Sequence, residues 1–216
     1  MPQLLYGVWD NIVYDNRRTD RNSAPDLPLA LFDQFDAGNP MEIFLGNRGF
    51  LVFSEEASLV QALWKHHERL ADESCGKCSP CRIGTKRMLE ILTRITEGNG
   101  TMQDLEELEE LGRTVQANSL CALGQTAANP VLSTMKHFRD EYIAHVVDKK
   151  CPAKVCKNLI NYTVILDKCV SCGRCAKACP VGAIYKTDYI APTNKFPSWQ
   201  IDDSKCIKCG SCLATC

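Results

Sequence analysis

Cysteine spacing constrains this chain more than any other property. Residues 169–180 run Cys169-x-x-Cys172-x-x-Cys175-x-x-x-Cys179-Pro180, and the spacing recurs as Cys206-x-x-Cys209-x-x-Cys212-x-x-x-Cys216. Three closely spaced thiolates wrap one face of an iron–sulfur cube, and the offset fourth cysteine of each run reaches the other cube. Cys169, Cys172, Cys175 and Cys216 are thus expected to hold one [4Fe–4S] cluster, and Cys206, Cys209, Cys212 and Cys179 a second. Zinc knuckles also use C-x2-C pairs, but zinc needs only four ligands and gains nothing from an offset cysteine repeated twice.

Fourteen cysteines would ordinarily suggest disulfides, yet twelve fall into these runs and one further cluster-like set. They read as metal ligands in a reducing compartment, which makes the cytoplasm the expected location. A formal net charge of −1 and the lack of a Lys/Arg block argue against nucleic-acid binding. No stretch has the apolar length to span a bilayer, and Met1-Pro2-Gln3 does not open a signal peptide.

The predicted fold class is α+β, a small four-helix iron–sulfur bundle followed by a ferredoxin-like domain with two clusters. Residues 1–53 divide into an irregular arm over 1–40, lying on a partner or disordered in isolation, and two short strands. The strands are Ile43-Phe44-Leu45 and Phe50-Leu51-Val52-Phe53. The bundle is placed at 54–148. Its first helix is capped by Ser54, with Leu59, Leu63 and Trp64 on one face, and its second carries Met88, Leu89, Ile91, Leu92 and Ile95. Thr101 caps the third, and Asn129-Pro130 opens a fourth running through Met135, Phe138, Tyr142 and Val146. Residues 149–161 are a linker, and 162–216 the two-cluster domain, entered by an alternating strand at Tyr162, Val164 and Leu166.

A third cluster motif lies inside the bundle. Cys75-Gly76-Lys77-Cys78-Ser79-Pro80-Cys81 supplies three thiolates, and Cys121 is the natural fourth once the two intervening helices fold back. Spacing alone leaves a structural zinc open here. The segments Glu73–Thr85, Ser119–Gly124 and Lys136–Glu141 resemble the iron–sulfur bundle of the complex I flavoprotein subunit family. The linker and tail are most similar to beta subunits of electron-bifurcating hydrogenases. The resemblance implies a [4Fe–4S] cluster on Cys75, Cys78, Cys81 and Cys121, and three such clusters in all. Family members carry an FMN- and NADH-binding domain with a Gly-Arg-Gly-Gly loop before the bundle. Here only a remnant resembling the end of a ubiquitin-like domain precedes it, so neither FMN nor NAD is expected on this chain.

His145, Cys151 and Cys156 form a His-x5-Cys-x4-Cys pattern that suits tetrahedral zinc, the alternative being two buried thiols in a turn. The resemblance implies zinc at this hinge with a further cysteine upstream. The matching region here reads Glu55-Glu56-Ala57-Ser58, leaving His66, His67, His137 or a water for the fourth position. The expected function is electron transfer, without a catalytic site on this chain, inside a hydrogenase-, formate dehydrogenase- or NADH dehydrogenase-type complex. The alternative is a fragment of an NADH-oxidising FMN flavoprotein subunit. The resemblance implies partners with flavin or [2Fe–2S] groups, a ferredoxin-rich large subunit and a hydrogenase or formate dehydrogenase catalytic subunit. No nucleic acid and no membrane span are expected.

Overall fold

In the computed structural model, which describes residues 4–17, 42–46, 48–190, 192 and 195–216, the chain divides after Leu159 into two units. Where an irregular arm is expected, Tyr6–Trp9 forms strand β1 and Ile12–Asp15 strand β2, joined at Asp10-Asn11. Both turn residues take positive φ, 51° and 65°, the backbone that a two-residue hairpin of matching twist requires and that Asp and Asn tolerate. The remainder of the expected arm, residues 18–40, lies outside the described residues.

Strands β3 (Ile43–Gly46) and β4 (Gly49–Val52) form at the predicted segments, though Asn47 between them is outside the described residues. The four strands make an antiparallel sheet in the order β2-β1-β4-β3, with Val8 opposite Phe50. Alternation sends Tyr6, Val8, Phe50 and Val52 to the helices, while Leu4, Trp9 and Leu51 pack on the other side with Phe44 and Phe53.

Helix α1 spans Leu59–Glu73 and starts one turn later than predicted. Its cap is Ser58, whose hydroxyl accepts from the Gln61 N–H, whereas Ser54 closes a local turn by accepting from Glu56. Helix α2 (Ser79–Thr96) carries Pro80 in its first turn, and α3 (Met102–Asn118) opens on a reciprocal capping box between Thr101 and Asp104. The two are antiparallel: Arg87 reaches Glu107 at 3.0 Å and Arg94 Nε reaches Asp104 at 3.1 Å. Met88, Ile91, Leu92 and Ile95 of α2 meet Leu105, Leu108 and Val115 of α3 in the buried core. Each such side chain contributes about 1.5–3 kcal/mol on burial.

The expected fourth helix is two helices, α5 (Asn129–His137) and α6 (Arg139–Val146), preceded by a short α4 (Ala122–Ala127). The break is at Phe138, with φ −134° and ψ 42°. Its buried ring lies 4.8 Å from Tyr6 and 5.6 Å from Phe50, centroid to centroid, so packing on the sheet overrides helical continuity. Across the break the Tyr142 hydroxyl lies 2.6 Å from Thr134 Oγ1. Thr134 gives its own proton to the Val131 carbonyl, so Tyr142 is the donor.

The second unit pairs β5 (Ile184–Lys186) with β6 (Trp199–Ile201) and carries two short helices, α7 (Arg174–Ala178) and α8 (Ser211–Thr215). The strand expected at Tyr162–Leu166 is absent; that segment runs without sheet pairing into a 3-10 turn at Leu166–Lys168. Among the described residues no helix is long and apolar enough to cross a membrane.

Candidate metal centres

In the first unit, Cys75 and Cys78 lie on the loop between α1 and α2, and Cys81 is in the first turn of α2. Cys78 is the cap residue of α2, so the positive end of an eighteen-residue helix faces this loop. Arg82 ties the loop down by donating to the Gly76 carbonyl at 3.0 Å, and Ser74 Oγ sits 3.4 Å from Cys81 Sγ. Helix α3 returns the chain to the same end, where Cys121 caps α4. The approach is close: a Cβ added to Gly124 would stand 3.2 Å from Cys81 Cβ and 2.3 Å from Ser119 Oγ. Cys81 is buried, Cys78 half-buried, and Cys75 and Cys121 exposed, so this group opens to solvent on one side.

In the second unit the two runs adopt one backbone path twice. Ser171 and Lys208, each just before the second cysteine, have φ of 60° and 56°; Gly173 and Gly210, just after it, have 70° and 76°. Left-handed residues on either side of a cysteine help a loop turn its N–H groups inward, a geometry suited to sulfur anions. Cys179 of the first run and Cys206, Cys209 and Cys212 of the second line a single cavity, with Ile184, Ile201 and Tyr162 completing its wall. The Ala183 N–H donates to Cys179 Sγ at 3.2 Å. Burial first, and then the Cys216 and Cys169 sulfurs, raise the Cys175 pKa. Cys172 is exposed on the same loop.

Two aromatic residues went unread as parts of this site. Tyr162 and Trp199 each stand seven residues before the first cysteine of a run. The Tyr162 hydroxyl is 3.3 Å from where a Cβ on Gly210 would lie, and the Trp199 ring is 3.1 Å from the same point on Gly173. Each repeat thus lends its aromatic side chain to the other repeat's cysteine loop. The duplicated spacing is the signal that could have found them.

Back in the first unit, His145, Cys151 and Cys156 are buried, and their ligand atoms all lie within 4.8 Å of one another. His145 Nδ1 is 2.7 Å from the Glu141 carbonyl, which makes it the N–H donor and turns Nε2 toward Cys156 Sγ, 3.5 Å away. The contact with Cys156, and then with His145, holds the Cys151 pKa low; the same contact and burial push Cys156 up. Burial opposes charge on His145, but Cys151 and the Glu141 carbonyl outweigh it and raise its pKa. His66, His67 and His137 do not join this group. His67 is buried with Nε2 unpartnered, and burial lowers its pKa to about 4.

Comparison with known proteins matches both units. A family profile for the NADH-ubiquinone oxidoreductase-F iron-sulfur binding region covers residues 61–145, and one for the 4Fe-4S dicluster domain covers 168–216. The chain matches the C-terminal iron–sulfur part of NADH-quinone oxidoreductase F subunits and their hydrogenase relatives. It is 47 % identical over 162 residues to NADP-reducing hydrogenase subunit HndC of Solidesulfovibrio fructosivorans, covering 75 % of this chain and 33 % of the relative. It is 43 % identical over 127 residues to the F subunit of the NADH-quinone oxidoreductase of Mycobacterium bovis, covering 59 % and 28 %. The beta subunit of an NADPH-Fe(3+) oxidoreductase from Geobacter sulfurreducens is 29 % identical over 171 residues, covering 78 % and 25 %. The chain therefore spans about a quarter to a third of the length of these relatives.

Proposed function

We propose that this chain relays single electrons through three [4Fe–4S] clusters within a multi-subunit cytoplasmic oxidoreductase of the hydrogenase, formate dehydrogenase or NADH dehydrogenase type. The carrying observation is the shared cavity in which Cys179 joins Cys206, Cys209 and Cys212 across the two runs. A cubane supplies reversible one-electron chemistry with little change in geometry, its potential set by burial and by N–H donors to sulfur.

Cys75, Cys78, Cys81 and Cys121 hold the first cluster. The second is held by Cys169, Cys172, Cys175 and Cys216, and the third by Cys206, Cys209, Cys212 and Cys179. Around the third, Ile184 and Ile201 exclude water, and the Ala183 N–H stabilises negative charge on Cys179. Around the first, the N-terminus of α2 does the same for Cys78 and Cys81. No catalytic group is assigned to this chain, and its partners are the flavin, [2Fe–2S] and catalytic subunits of such a complex. His145, Cys151 and Cys156 hold a structural zinc: three ligand atoms converge inside the fold, with the imidazole tautomer fixed by Glu141.

Elemental analysis of anaerobically purified protein tests the reading. About twelve iron atoms and one zinc per chain are expected, with three reducible centres by electron paramagnetic resonance. Four or eight irons, or fewer than three reducible centres, would overturn the three-cluster relay. A second reading, a piece of an NADH-oxidising FMN flavoprotein subunit, is favoured by the greater length of the relatives. Mass spectrometry of the native protein separates the two, since a chain near 24.1 kDa excludes the second.

A further inference from the structure

We infer that the hydroxyl oxygen of Ser58 fills the fourth position of the zinc centre on His145, Cys151 and Cys156, an inference that rests on the zinc reading above. Tetrahedral zinc with sulfur at about 2.3 Å and nitrogen or oxygen at about 2.0–2.2 Å separates a sulfur ligand from its nitrogen and oxygen neighbours by about 3.6 Å. Cys156 Sγ lies 3.5 Å from His145 Nε2 and 3.9 Å from Ser58 Oγ. Both distances are close to that tetrahedral edge, and the second is long for a hydrogen bond.

Burial leaves few other candidates for this position. Exposure is 5 % at Ser58, 6 % at Cys151, 3 % at Cys156 and zero at His145, so the centre is closed to bulk water. Ser58 is fixed in place as the cap of α1, and its oxygen accepts only a long 3.4 Å bond from the Gln61 N–H. A hydroxyl oxygen has a second lone pair, which remains free for a metal. Charge also balances. The divalent ion is neutralised by two thiolates, Cys151 and Cys156, and any thiol proton still present on them leaves to solvent on binding. A neutral hydroxyl keeps the sum at zero, which suits a buried site, because unpaired buried charge is costly. Zinc held this way fastens the start of α1, the end of α6 and the 151–156 turn together, all within the first unit. One hard oxygen beside two soft sulfurs also makes the ion more exchangeable than a third thiolate would.

Zinc K-edge absorption on the full chain with its iron clusters in place tests this, together with chelator competition. The wild type is expected to show two sulfurs and two nitrogen or oxygen neighbours. Ser58→Cys should show three sulfurs and hold zinc at least about tenfold more tightly. Ser58→Ala should hold it at least about tenfold more weakly, since even outer-shell partners change metal affinity by about 10–100-fold. Unchanged iron content in each variant reports an intact fold. Zinc present with two sulfurs in Ser58→Cys and unaltered affinity in Ser58→Ala would overturn the Ser58 assignment while leaving the zinc reading intact. Absence of zinc from the wild type would overturn both.

Discussion

Asp104 does three jobs with one carboxylate. It accepts from the Thr101 backbone N–H at 2.8 Å, accepts from the Thr101 hydroxyl, and pairs with Arg94 of the neighbouring helix. Burial opposes its charge, yet Arg94 and Thr101 outweigh that and lower its pKa. Asp104→Ala should destabilise the first unit by about 1–2 kcal/mol through the broken capping box and the lost Arg94 pair. Thermal unfolding followed by helical circular dichroism would show it, and an unchanged midpoint would contradict the role. Gly124 carries a sharper prediction. Any Cβ there collides with Ser119 and presses on Cys81, so Gly124→Ala should displace the Cys121 turn. Iron should fall by about four atoms per chain, with the second-unit centres intact by electron paramagnetic resonance. Thr101 was legible in the sequence because a capping residue before an apolar stripe is local information. Gly124 was not, because its constraint comes from the folded positions of Ser119 and of Cys81, the latter distant in the chain.

At the scale of elements, helical stripes are legible where they are long. Helices α2 and α3 form where their apolar periodicity puts them, since each buries one continuous face. The break at Phe138 was hidden, because the ring that causes it packs on Tyr6 and Phe50, residues no helical period can reveal. The β1–β2 hairpin is masked for a different reason. Asp10-Asn11 lies in a polar segment, although two residues that tolerate positive φ between Tyr6–Trp9 and Ile12–Asp15 are a hairpin signal. The aromatic lids of the second unit give this scale its test. Trp199→Ala should uncover the Cys169–Cys175 loop, and Tyr162→Ala the Cys206–Cys212 loop. Each variant should lose one centre to air faster than the other centre of the same protein. Bleaching followed by electron paramagnetic resonance of the surviving centre would distinguish them, and equal loss of both would sink the crossed arrangement.

For the whole molecule, the cysteine pattern was legible because ligand spacing survives whatever the intervening chain does. The backbone around it follows: both runs turn through left-handed residues at equivalent positions. What spacing could not supply was Ser58, whose nearness to Cys156 depends on how α1 lies against the 151–156 turn. The crossed ligand sets make a prediction at this scale. Cys179→Ser should damage the centre of the second run, because Cys179 lines the cavity of Cys206, Cys209 and Cys212. Redox titration should show that centre altered or missing, with the Cys169–Cys175 centre retained; the reverse pattern would refute the crossing. The crossing also has a temporal side. Cys169 and Cys216 are the outermost of the eight second-unit cysteines, and Cys179 to Cys212 are nested within them. On the proposed crossing, the nest begun first would be closed last during synthesis, so iron delivered to a half-emerged chain would find an open cradle until residue 216 arrives.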